Sequence, residues 1–306
     1  MARLPPMEIL SPREVPLGGL RAMTVRRTLP QRQRTFIGAW CFVDHYGPDV
    51  VAQHGGMVVP PHPHTGLQTV SWLFSGEIEH RDSAGFKALV RPGEVNLMTA
   101  GRGISHSEYS SPDTTMLHGT QLWVALPDSD RETTPNFEHF TPEPINGNGW
   151  QARVFIGSLM GMISPVRTYS PLVGAELRMR AGTALRIPVD PTFEHGVLLD
   201  TGSITVDGKP MDVHDLGYLV PRQDAIEIVA AEDSLLLVLG GAPFAEKIVM
   251  WWNFIGRDHD EVVAYREAWQ RLIETGHDAR FSLPSADLMP PIPAPGLPNA
   301  RMMRRG

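Results

Sequence analysis

Two short stretches carry residue types fit for metal chemistry: His62-Pro63-His64 and His106-Ser107-Glu108. In each, the two candidate ligands stand two residues apart. On a β-strand that spacing puts both side chains on one face. Two such strands would present three imidazoles and a carboxylate to one point. This donor set suits a divalent transition metal, and iron(II), manganese and nickel all accept it. Four protein ligands leave two positions of an octahedron for a substrate or dioxygen. The competing reading is two unrelated polar strand ends.

The elements needed to position these residues are legible around them. LQTVSWLF (67–74) is rich in β-branched and aromatic residues and ends at Ser75-Gly76, a turn. EIEHRDSAGFKALV (77–90) reads as a hairpin with Asp82-Ser83-Ala84-Gly85 at its tip. EVNLM (94–98) is another strand, and TAGRGI (99–104) bends the chain before His106. Pro61 and Pro63 fix φ and remove backbone donors, so the first ligand segment reads as a stiff, irregular strand edge. Short strands with frequent turns point to a barrel or a sandwich.

GMVVPPHPH (56–64) fits the first motif of the cupins: a Gly, five residues, then His-x-His. The carboxylate that many cupins place shortly afterwards is missing from TGLQT (65–69). GEVNLMTAGRGISH (93–106) approximates the second cupin motif with two extra residues, and Glu108 stands where the displaced carboxylate would reappear. That displacement is the pattern of the pirins. PHPHTGLQTV, HRDSAG, MTAGRGISHSE and the upstream RTFIGAWCFVDHYGP (34–48) resemble pirin motifs. APFAEKIVMWWNFI (242–255) is similar to the segment that follows the second pirin domain. The resemblance covers roughly 20–280. It implies an all-β bicupin, two jelly-roll-type β-barrels in one chain. It also implies one divalent metal ion, Fe(II) first and Mn, Ni, Co, Cu or Zn as alternatives, on His62, His64, His106 and Glu108.

Bulk composition agrees with a folded protein: 306 residues, 42% hydrophobic and 20% charged, with room for two domains. A net charge of −7 and a pI near 5.9 argue against direct binding of nucleic acid or an anionic membrane surface. The local basic stretch RAMTVRRTLPQRQR (21–34) reads as a solvated segment. Cys41 is the single cysteine, so no intrachain disulfide forms; between Trp40 and Phe42 it reads as a core residue. The opening residues lack a signal-peptide run and no apolar stretch is long enough to span a membrane, so a cytoplasmic location is expected.

Residues 1–20 read as an irregular arm. The metal-binding cupin domain is placed at 1–135 and a second cupin domain without ligands at 145–280. Between them, 128–149 reads as a polar linker, with His139 on the surface. The second half offers many short strands but no His-x-His, and His195 and His214 stand alone. DHDEVVAYREAWQRLIETG (258–276) has apolar residues at helical spacing (Val262, Val263, Tyr265, Trp269, Leu272, Ile273) and Gly276 as a stop, an amphipathic C-terminal helix. The Pro-rich tail, 281–306, is expected to be extended or poorly ordered.

Around the ligands, Gln68 is read either as a hydrogen-bonding neighbour of the metal or as an outward polar residue. His80 and Asp82, another i, i+2 pair, are read as supporting rather than ligating. His118 is read as a hydrogen-bonded strand residue. Met57, Trp72, Phe74, Met98 and Phe42 either line an apolar pocket or form core. The pirin resemblance implies a dioxygenase that cleaves flavonols such as quercetin. Glu108 would take the 3-hydroxyl proton and the metal would stabilise the anion. The alternative is a regulatory protein that binds a transcription factor or a metabolic enzyme and uses the iron's oxidation state as a switch.

Overall fold

The computed structural model describes residues 5–17, 23–287 and 289–306, and in them alternating sequence becomes strand almost throughout. Arg21 and Ala22, the start of the basic stretch, lie outside these residues. The chain forms two compact units. One gathers Val15–Val25, His45–His139 and Ala245–Gly306; the other gathers Met1–Glu14, Arg26–Asp44 and Phe140–Phe244. Each unit therefore draws on segments remote in sequence.

The unit with the ligand motifs holds most of a seven-stranded sheet and the whole of a four-stranded one. The larger runs in the order Asn136–Phe140, Val95–Thr99, Leu67–Ser75, Met116–Ala125, Trp40–Val50, Met23–Leu29, Arg13–Leu17. The smaller runs Val58–His64, Ile104–Ser110, Ile78–Asp82, Lys87–Val90, all antiparallel. An apolar cluster including Met57, Val59, Leu73, Ile78, Val90 and Leu117 draws on both sheets. Ile78–Asp82 and Lys87–Val90 form the expected hairpin, with Gly85 at positive φ in its tip.

The other unit repeats the plan. Its larger sheet runs Glu8–Leu10, Leu216–Leu219, Glu194–Thr201, Ser234–Gly241, Leu172–Met179, Trp150–Leu159, Ile145–Gly147, with Met162–Ile163 paired beside Trp150–Leu159. Its smaller sheet runs Ala184–Pro188, Ala225–Ala230, Ile204–Val206, Lys209–Met211. The buried Trp40 indole donates to the carbonyls of Val173 and Gly240, at 3.2 and 3.1 Å. Cys41 is fully buried, as its apolar neighbours require.

Three expectations change. Residues 1–20 are not simply an irregular arm: Glu8–Leu10 pairs antiparallel with Leu216–Leu219, because Leu10 is buried and Arg34 holds Glu8 at 2.8 Å. The 128–149 stretch is more than a linker, since it contains the strands Asn136–Phe140 and Ile145–Gly147. The tail is extended but fastened, with Trp269 donating to the Ile292 carbonyl, Ile292 N–H to Pro61, and Ala294 N–H to Gln270. Those partners satisfy backbone groups that a free tail would leave to water.

The helix His259–Thr275 forms as its periodicity dictates. Asp258 caps it by accepting from the Glu261 N–H at 3.0 Å, and Gly276 ends it with a left-handed φ of 75°. It buries Val262, Tyr265, Ala268, Trp269 and Leu272. Among the described residues no helix is long and apolar enough to cross a membrane.

Candidate metal centre

The site rests on two neighbouring strands of the four-stranded sheet. Val58–His64 carries His62 and His64, and Ile104–Ser110 carries His106 and Glu108. Their register sets His106 opposite His62 and Ile104 opposite His64. A tight turn follows the first strand and another precedes the second. Gly66 N–H donates to the Gly101 carbonyl, and both glycines have positive φ. A Cβ at Gly66 would lie 2.4 Å from the Ile255 carbonyl oxygen, and one at Gly101 2.0 Å from that of Thr133. Only glycine fits either place.

His62, His64 and His106 are all buried, and one ring nitrogen of each lies within 4.8 Å of the others. His64 Nε2 and His106 Nε2 are 3.0 Å apart. Two nitrogens about 2.1 Å from one ion, at a right angle, would stand about 3.0 Å apart. His62 Nδ1 lies 2.9 Å from the Pro60 carbonyl, which can only accept. His62 therefore carries its proton on Nδ1 and leaves the Nε2 lone pair free. Burial holds the His62 pKa down to about 4 and pushes His64 and His106 well below the ordinary histidine value, with the neighbouring imidazoles adding to the effect. Neutral, converging imidazoles fit a transition metal.

Glu108 also neighbours a further buried imidazole, that of His80. The pairing of its strand with Val58–His64 shifts register between His106 and Glu108, a bulge. On the other side Glu108 faces His80 in register. The buried groups of His80, His106 and Glu108 form a second cluster that shares His106 with the first. Burial raises the Glu108 pKa, against the opposing influence of His80 and a hydrogen bond from Ser71. Ser71 Oγ also lies 2.8 Å from Gln121 Oε1, so its single proton is shared between two candidate acceptors.

Gln68 does not point outward. It is fully buried, and its amide donates to Thr99 Oγ1 at 2.9 Å. His80 and Asp82 are buried and joined, with His80 Nε2 3.1 Å from Asp82 Oδ2 and His80 Nδ1 3.3 Å from His106 Nδ1. Phe137 stacks on the His80 ring at 4.7 Å and 30°. Sequence reasoning missed Phe137 because it sits in the polar stretch read as linker; the flanking NFEHF alternation was the available signal. Trp123 and His64 form a T-shaped pair, centroids 5.1 Å apart. Met57 belongs to the apolar core cluster, and Trp72 and Met98 are buried. His118 is buried with its Nε2 3.4 Å from that of His45, whereas His139, bonded to Asn96, is on the surface.

Comparison with known proteins accords with this architecture. Residues 21–124 match the Pirin family model and residues 174–273 match the Pirin C-terminal cupin domain. A Pseudomonas aeruginosa protein named "Putative quercetin 2,3-dioxygenase" is 41% identical over 297 residues, covering 95% of this chain and 91% of its own. The crystal structure of a quercetin 2,3-dioxygenase from Acinetobacter baumannii superposes with a TM-score of 0.91 at 38% identity, covering 98% of both chains. The Escherichia coli pirin YhhW, solved in complex with nickel(II), shares the fold at 19% identity, with a TM-score of 0.60 over 78% of this chain and 100% of its own. With two cupin domains, a C-terminal helix and both family matches, the chain belongs to the pirin family of cupins.

Proposed function

We propose that this protein is a metal-dependent dioxygenase of flavonol-like substrates, with a divalent ion, iron(II) first, held by His62, His64, His106 and Glu108. The observation that carries the reading is the set of three buried, neutral imidazoles converging beside a buried carboxylate. The P. aeruginosa and A. baumannii relatives supply the substrate class by their names, and YhhW supplies precedent for a metal on this fold. When bound, such an ion supplies Lewis acidity and a route for electrons to dioxygen.

The chain's own residues do the rest. Glu108 takes the proton of the 3-hydroxyl, and its raised pKa makes it the stronger base for that step. Ser71, whose hydroxyl lies beside both Gln121 and Glu108, flanks the carboxylate. Trp123 beside His64 keeps one flank apolar and excludes water.

The test is to mix the metal-loaded protein with quercetin in air. Loss of the flavonol absorbance with release of carbon monoxide is the expected result. Glu108→Gln, which keeps the size but not the basicity, should then lose turnover by roughly 10²–10⁴-fold. A fully loaded wild-type protein that leaves quercetin intact would overturn the enzyme reading in favour of a regulatory partner protein.

A further inference from the structure

We infer that Asn96 reads a phenolic hydroxyl of the substrate: its buried side-chain amide keeps one atom for that hydroxyl, on the side of the site walled by Phe137. This rests on the flavonol reading above and deepens it, by naming the residue that tells a polyhydroxylated flavonol from a bare one.

Strand register puts Asn96 on the face that looks at the ligands. In Val95–Thr99 it stands directly opposite Ser71 of Leu67–Ser75, and Ser71 is opposite Gln121 of Met116–Ala125. Directly opposed residues of antiparallel strands share a face. Ser71 fixes which face that is, because its hydroxyl lies beside Glu108. Thr69, two residues from Ser71 and so on the same side, is opposite Trp123, which forms a T-shaped pair with His64. Asn96, Ser71 and Gln121 thus make a polar row across three strands, facing the proposed metal ligands.

Within this row Asn96 has capacity to spare. It is 3% exposed. One end of its amide meets His139 Nδ1 at 3.0 Å. The other end is buried and has no hydrogen-bond partner among the described residues. Buried polar atoms are nearly always paired, so an unpaired one on the face of a binding site marks a place for a ligand. A phenolic hydroxyl both donates and accepts. It therefore suits the amide whether nitrogen or oxygen faces the site, and no imidazole's protonation state enters.

The neighbours on this side select a flat ring. Asn136–Phe140 lies next to Val95–Thr99 in the sheet. It carries His139, which holds the amide, and two residues earlier Phe137, which stacks on the His80 ring at 4.7 Å. Phe86, from the hairpin tip, stacks on Phe137 in turn, at 5.9 Å and 28°, and is itself exposed. The two phenyl rings lead from solvent to the His80 ring. A planar aromatic ring gains by packing beside them, and its hydroxyl is offered to the amide.

The test compares quercetin with 3-hydroxyflavone, which keeps the 3-hydroxyl and the 4-carbonyl but lacks quercetin's other hydroxyls. Both are titrated under nitrogen into the full-length zinc-loaded protein, so that binding is read without turnover. The wild type should prefer quercetin. Asn96→Leu, close in size and unable to hydrogen-bond, should cut that preference about 10-fold while binding 3-hydroxyflavone as the wild type does. Equal losses for both flavonols would make Asn96 merely structural, and an unchanged preference would take it out of the site; either result overturns the inference. His139→Ala, at a half-exposed position, releases the amide without touching the core and should cut the preference about 3-fold. It decides the matter if Asn96→Leu does not fold, an unchanged preference again overturning the inference. A wild type that binds both flavonols without preference overturns the inference and leaves the dioxygenase reading intact, whereas one that binds neither defeats both.

Discussion

The two four-stranded sheets share one strand order and antiparallel pairing, yet their buried faces have opposite chemistry. In the ligand-bearing unit three strands present i, i+2 pairs inward: His62 and His64, His106 and Glu108, His80 and Asp82. The matching strands of the other unit present Leu185 and Ile187, Ile226 and Ile228, Ile204 and Val206, all in one apolar cluster. The same backbone therefore serves two ends. Aliphatic side chains gain stability by leaving water, on the order of 1.5–3 kcal/mol for each one fully buried. Imidazoles and carboxylates cost stability when buried unless they are paired or coordinate a metal. One sheet is built for stability, and the other gives some up to gather the proposed metal ligands.

Placing a charge in the aliphatic sheet should have the largest effect. Ile228→Glu would bury an unpaired carboxylate among Leu185, Val206 and their neighbours, at a cost of roughly 3–5 kcal/mol. Denaturant unfolding should show that loss without any gain of metal. A stable Ile228→Glu protein would mean that this interior tolerates charge and that the contrast is only compositional.

Next in size is ligand removal. His64→Ala should weaken zinc binding by about 10²–10³-fold, a single ligand's share of a binding energy of order 10 kcal/mol. The midpoint of apoprotein unfolding should move little, because the apolar cluster of this unit is made by other residues. Full metal occupancy in His64→Ala would remove it from the ligand set.

Glu108→Leu sharpens the comparison from the other side. It makes one position of the ligand sheet resemble its aliphatic counterpart Ile228. Metal affinity should fall while the apoprotein becomes more stable by about 1 kcal/mol, read as a higher unfolding midpoint at unchanged slope. A destabilised apoprotein would show that Glu108 is held by bonds worth more than its desolvation.

Smallest at neutral pH, and growing only in acid, is a pH dependence in the aliphatic unit. Burial lowers the His195 pKa to about 4. The unfolded chain then binds the extra proton first, near the ordinary histidine value of about 6.5. His195 thus favours the folded state fully above that value, and the contribution is lost as pH falls from about 6.5 toward 4. His195→Gln should flatten this limb of the stability curve. An unaltered slope would assign the acid sensitivity to other groups.

Much of this was legible in the chain itself. The i, i+2 pairs, the Gly and Pro turns and the pirin motifs gave the strands and the candidate ligands. The 3.6-residue spacing gave the helix, with Asp258 and Gly276 at its ends. These are local signals, because side-chain direction along a strand or helix follows from backbone geometry alone. The second sheet's interior was equally open to reading in ALRIP and AIEIV, whose alternation is strict.

Other features depend on contacts between segments distant in sequence, and only the tertiary structure decided them. The N-terminal strand Glu8–Leu10 finds its partner some two hundred residues away, and Ile292 of the tail donates to Pro61. The register that sets Glu108 opposite His80 pairs two strands whose alignment residue spacing does not encode. Phe137 reaches His80 from a stretch whose composition spoke only of polarity. The sequence by itself determined which faces the side chains occupy; which faces meet was fixed by the packing of the sheets, where burial and hydrogen-bond satisfaction select one register.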